Sequence, residues 1–124
     1  MTRLADVMTT DVLTVSENAT LSQVARALRS RNVGSAIVID EQELAIGIIS
    51  ERELVDSVAG GRNPDQGTAQ LWMRPELLTA NVDTSAEEAT EIMRANNVRH
   101  LPVSSDGKVV GVVSISDLLV GIPG

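Results

Sequence analysis

The chain of 124 residues repeats itself, and no other feature of it constrains the fold as much. Asp6-Val7-Met8 stands in register with Leu71-Trp72-Met73, Leu13-Thr14 with Leu78-Thr79, and Thr20 with Ser85, each 65 positions on. Gln23 matches Glu88, Asn32-Val33 matches Asn97-Val98, and Val38 matches Val103 at the same spacing. One residue is then lost. Gly47-Ile48-Ile49-Ser50 falls on Gly111-Val112-Val113-Ser114 at an offset of 64, and Glu53-Leu54 follows on Asp117-Leu118. A gap of one residue belongs in a surface turn, where a duplicated fold tolerates it best.

Each half predicts the order β-α-β-β-α. A short apolar strand (Val12 to Val15; Leu77 to Ala80) precedes a helix that opens on a hydroxyl with Gln or Glu three residues later. Leu21, Val24, Ala25 and Leu28 then recur at helical spacing, as do Ala86, Ala89, Ile92 and Met93. Two more strands follow, joined in the second half by Ser105-Asp106-Gly107-Lys108, whose Asp-Gly pair supplies the positive φ of a tight hairpin. A helix closes each half from Glu51 or Ile115. The expected boundaries are a first repeat over 1–58, a linker over 59–70 and a second repeat over 71–124. Ala59 to Pro64 reads as a flexible joint, Asp65 to Trp72 as a short helix, and Trp72 and Met73 as its anchors on the second half. One unit of about 60 residues buries too little surface to be secure alone. The fold class expected is therefore α/β: two pseudo-twofold-related β-α-β-β-α repeats packed sheet to sheet, with clefts between them.

With no Phe, no Tyr and one Trp, the core must be aliphatic. The absence of Cys excludes disulfides and thiolate metal sites. Ten basic residues against seventeen acidic ones, a net charge of −7, argue against a nucleic-acid partner. No apolar run approaches the ~18 residues of a membrane span, and the start lacks the order of a signal peptide. No membrane association and a cytoplasmic location are the expectation.

The two Gly-hydrophobic-hydrophobic-Ser stretches, each with an acid three residues after the Ser, resemble the CBS-domain family, named for cystathionine beta-synthase. Gly111-Val112-Val113-Ser114-Ile115-Ser116-Asp117 carries the family mark in full, and Gly47-Ile48-Ile49-Ser50-Glu51-Arg52-Glu53 differs in having Glu for Asp. Val98-Arg99-His100-Leu101-Pro102-Val103 resembles the strand before the family's hairpin. The resemblance spans about 6–56 and 71–121. It implies a non-catalytic regulatory module that binds an adenine nucleotide (AMP, ADP or ATP type, or S-adenosylmethionine) between the repeats. No cofactor is obligatory. A homodimer through Leu54, Val55, Leu118 and Leu119 is implied, with a protein partner acted on in trans. The alternative is a ligand-free dimerisation module working through that partner.

In the resembled family the motif's acid accepts from the ribose hydroxyls and its Ser contacts phosphate or ribose. A carboxylate is a paired, charge-assisted acceptor for a diol, a hydroxyl at a helix start suits an anion, and Arg forks onto phosphate. The first cleft is expected to combine Arg99, His100, Ser114, Ser116 and Asp117 with Val12, Leu13, Val33, Gly34 and Ser35. The second would use Ser50, Arg52 and Glu53 with Leu77, Leu78 and Val98, and bind more weakly: Glu53 is a methylene longer, and Gly34-Ser35 stand where Arg99-His100 stand. Both acids also read as plain helix caps at N3, a role compatible with ribose binding because a carboxylate has several acceptor positions. His100 alone, without Cys, makes no metal site, and nothing resembles a nucleophile elbow. Gly60-Gly61 lacks the Gly-Lys-Ser/Thr of a phosphate loop.

Overall fold

Two helices open on in-register caps. Thr20 Oγ1 accepts the Gln23 N–H at 3.1 Å while Gln23 Oε1 accepts the Thr20 N–H at 2.9 Å, and Ser85 Oγ accepts the Glu88 N–H at 3.1 Å. Both helices end on asparagine in the left-handed region, Asn32 at φ 55° and Asn97 at φ 53°, where Asn is among the few residues tolerated. Loss of either cap costs about 1 kcal/mol. Thr20→Ala, which removes the hydroxyl half of a reciprocal pair, is expected to lower the thermal midpoint at least as far as Ser85→Ala in parallel melts.

A computed structural model describes residues 1–121. In chain order the elements are α1 (Leu4–Val7), β1 (Thr14–Ser16), α2 (Leu21–Arg31), β2 (Ser35–Ile39), β3 (Ala45–Ser50) and α3 (Glu51–Ala59). Then come α4 (Ala69–Trp72), β4 (Ala80–Asn81), α5 (Ala86–Asn96), β5 (His100–Ser105), β6 (Lys108–Ser114) and α6 (Ile115–Gly121). They form two three-stranded sheets, β1-β2-β3 and β4-β5-β6. In each, the first strand runs parallel to the middle one and the third antiparallel to it. The gap falls in the hairpins: Asp106 and Gly107, both at positive φ, join β5 to β6, whereas 40–44 join β2 to β3 with Glu43 at φ 63°. There Asp40 Oδ1 accepts the Gln42 and Leu44 amides.

The compact units cut across the repeats. One is Leu13–Leu77; the other joins Met1–Val12 to Leu78–Gly124. In the first unit, Leu21, Val24 and Leu28 of α2 pack on Ala36, Val38 and Ile49 with Ala69. In the other, Ala86, Ala89 and Met93 of α5 pack on Leu101, Val103 and Val113 with Leu4 and Leu118. The arm before each repeat is thus held by the other repeat. Leu4 and Ala5 amides donate to Thr84 and Val82 carbonyls, and Thr9 bridges Val112 in both directions. Likewise Ala69 and Gln70 amides donate to Ala19 and Glu17, and Arg74 bridges Ile48.

Several expectations change. Trp72 and Met73 pack on the first repeat's core, not the second's. The 59–64 joint is tied down: the Leu21 and Ser22 amides at the start of α2 donate to the Gly67 and Pro64 carbonyls. The helix after it is confined to Ala69–Trp72. Leu118 is wholly buried, so it presents no dimer contact, while Val55 and Leu119 are 65% and 66% exposed. The first strands start later than their apolar residues, because only from Thr14 and Ala80 does the chain lie alongside the neighbouring strand.

Candidate functional site

In the unit that holds Asp117, the β5–β6 ladder pairs His100 with Ser114 at its end. Strand β6 passes straight into α6, and the Ile115 N–H donates to the Arg99 carbonyl at 2.9 Å. The register therefore brings Arg99, His100, Ser114 and Asp117 to one end of the sheet, with exposed Ser116 in the first turn of α6. Ser114 and Asp117 cap reciprocally: the Ser114 N–H donates to Asp117 Oδ2 at 2.9 Å, and the Asp117 N–H to Ser114 Oγ at 3.2 Å. Asp117 is half-buried and Arg99 exposed. Val12 and Val98 are half-buried in this unit, and Leu78 lies at its exposed edge.

The other unit builds the same corner with different chemistry. Ser35 pairs with Ser50, and the Glu51 N–H donates to the Gly34 carbonyl at 3.1 Å. Glu53 is buried, and its Oε1 accepts both the Ser50 N–H at 2.9 Å and the Ser50 hydroxyl at 3.0 Å. Arg52 is exposed beside it. Leu13 gives its carbonyl to the Ile37 N–H and packs with Val33 on the core, while Leu77 closes the unit, half-buried. Val33 and Gly34 also line a groove of about 410 Å³ with Leu28, Arg29, Asn32 and Glu51. The expected site residues thus form two corners, one per unit: Arg99, His100, Ser114, Ser116 and Asp117 in one, and Gly34, Ser35, Ser50, Arg52 and Glu53 in the other.

Two features were not read from the sequence. Glu51 adds a second acid to the first turn of α3, where α6 has Ile115. The motif glycines seat methionines: a Cβ on Gly47 would lie 2.6 Å from Met73 Sδ and from the Arg74 carbonyl oxygen, and one on Gly111 2.6 Å from Met8 Sδ. The signal was present, since Met8 and Met73 stand in register.

A carboxylate beside a serine hydroxyl at a helix start offers acceptors for a polyol and donors for an anion, and Arg99 and His100 lie at the same end of the sheet. The exposed pair on α5, Glu91 and Arg94 at 2.6 Å, is separate from both corners, and the hydrogen bond from Arg94 holds the Glu91 carboxyl below the usual carboxylate range. Among the described residues no cluster of three or more His, Asp or Glu is placed to hold a metal ion, and no helix is long and apolar enough to cross a membrane.

A family model described as the CBS domain matches residues 4–60 and 69–124. An uncharacterized 17.7 kDa protein of Acidianus ambivalens is 37% identical over 118 residues, covering 94% of this chain and 71% of that protein. The CBS domain-containing protein YhcV of Bacillus subtilis is 34% identical over 121 residues, 97% of this chain and 85% of its own. The solved structure of CBS domain protein PAE2072 of Pyrobaculum aerophilum, complexed with AMP, superposes with a TM-score of 0.85 at 29% identity, over 93% of this chain and 88% of that one.

Proposed function

We propose, from the premise that this chain belongs to the CBS-domain family, that it is a non-catalytic regulatory module that binds an adenine nucleotide and transmits the bound state by a conformational change. The observation that carries the reading is the Asp117 corner: one carboxylate oxygen holds the helix cap, and the other is left to accept from a ribose diol. Arg99 and His100 stand at the same end of the sheet for a phosphate. Half-buried Val12, in the same unit, is a proposed apolar wall for the base. AMP in the Pyrobaculum relative supports the ligand class. A ligand shifts such a module only by its differential affinity for two states, and the receiver of that shift is a protein partner in trans. The exposed Val55, Val58 and Leu119 favour a homodimer, and they also support the second reading, a ligand-free dimerisation module.

Thermal unfolding with and without millimolar AMP, ADP, ATP and S-adenosylmethionine tests the proposal. A ligand at 100 times its Kd stabilises by about 2.7 kcal/mol, a shift of several degrees. Asp117→Asn keeps an oxygen for the Ser114 cap but loses the charge, and is expected to weaken binding by about tenfold to hundredfold. Arg99→Ala should weaken AMP more than adenosine. No shift with any ligand would turn the assignment to the second reading.

A further inference from the structure

We infer that the Ser50–Glu53 corner is closed by its own helix cap, so that the chain takes one adenine nucleotide, at the Ser114–Asp117 corner, and not two. The inference rests on the nucleotide reading above and assigns its stoichiometry.

Consider first which hydrogen-bonding groups each corner has left. Asp117 uses one oxygen on the Ser114 N–H, and Ser114 Oγ accepts from the Asp117 N–H. The Ser114 proton and the second carboxylate oxygen remain for a ligand, because a hydroxyl carries one donor and two lone pairs. At the other corner the Ser50 hydroxyl gives its only proton to Glu53 Oε1, which already takes the Ser50 N–H, so that corner has no hydroxyl proton left and only Glu53 Oε2 as an acceptor. The extra methylene lets Glu53 fold back over its own cap serine. Glu53 ends 8% exposed, with little surface to offer a diol.

Charge separates the corners in the same direction. Glu51 and Glu53 both lie in the first turn of α3, while α6 has only Asp117 there. Two acids offset the positive end of the helix and repel a phosphate. The strand positions that supply Arg99 and His100 to one corner supply Gly34 and Ser35 to the other.

Equilibrium dialysis of the full chain against saturating AMP is expected to give one AMP per chain. Glu53→Gln keeps an oxygen for Ser50, and should leave the stoichiometry at one and the Kd within about twofold. Two AMP per wild-type chain, or a marked loss of binding in Glu53→Gln, overturns the inference. Should Glu53→Gln fail to fold by circular dichroism, the wild-type stoichiometry decides alone. Absence of binding by AMP, ADP, ATP and S-adenosylmethionine alike, or binding indifferent to Asp117→Asn, is a different result, and it overturns the nucleotide reading itself.

Discussion

Gly47→Ala is expected to destabilise the chain by about 2–3 kcal/mol, the upper part of the range for overpacking a filled core. The added Cβ would lie 2.6 Å from Met73 Sδ and 2.6 Å from the Arg74 carbonyl oxygen. A methionine side chain can swing away, since it is unbranched and flexible. The carbonyl cannot, because it accepts the Ile48 N–H while the Arg74 N–H donates back to Ile48. Gly111→Ala meets a softer obstacle: Met8 Sδ at 2.6 Å and Cγ at 2.9 Å, with the Thr9 carbonyl oxygen further off at 3.1 Å. The two in-register substitutions should therefore respond differently to truncating the methionine. In a Met8→Ala background most of the Gly111→Ala penalty disappears, whereas Met73→Ala relieves only part of the Gly47→Ala penalty. Thermal or urea unfolding of the two double-mutant cycles measures this directly. Equal relief at both sites would mean that the Arg74 backbone yields as readily as a side chain.

This glycine also shows how far the sequence could be read. The repeat, the helix caps and the Asp106-Gly107 hairpin are local, and each is written in a few neighbouring residues, so the fold class followed from them. The Gly-to-Ser stretches were visible too, but not the reason for their glycine, which lies with a methionine about a hundred residues earlier for Gly111 and about twenty-five later for Gly47. Register alone says that Met8 and Met73 do the same job. It is silent on which repeat each serves, since the pattern is identical whether an arm packs on its own repeat or the other one. That is why sequence alone puts Trp72 and Met73 on the second half, whereas they pack on the first. The exposure expected of Leu118 failed for a related reason: the residue that buries it, Leu4, sits in an arm more than a hundred positions away. At the candidate site the Asp-to-Glu difference was legible as a change of reach. That Glu53 turns back to take the Ser50 hydroxyl was not, because it depends on a side-chain rotamer.

A fragment comprising residues 13–77 should melt cooperatively by circular dichroism, and a fragment comprising residues 1–58 should not. The sequence repeats argue for the opposite choice, since 1–58 contains one whole repeat. The difference lies in the arms. In 13–77 the Leu21 and Ser22 amides keep the Gly67 and Pro64 carbonyls that satisfy them; unpartnered amides in the first turn of a helix must otherwise find water. The same fragment keeps Ala69, Trp72 and Met73 on the core of Leu21, Val24, Leu28 and Ile49, and keeps the Arg74–Ile48 bridge. Residues 1–58 lose all of these, and gain an arm whose Leu4 has no Met93 or Leu118 to pack on. A chain of this size buries only about 60% of its unfolded surface, so stability is marginal and the loss of one packed segment decides the outcome. The 13–77 fragment is expected to melt below the full chain but with a sigmoidal transition, and Trp72 fluorescence should report the same midpoint. If 1–58 melts as steeply as 13–77, the arms are ornaments on repeats that fold alone. If only 13–77 does, the folding unit is the compact body and not the repeat, and each repeat depends on the other's arm to complete it.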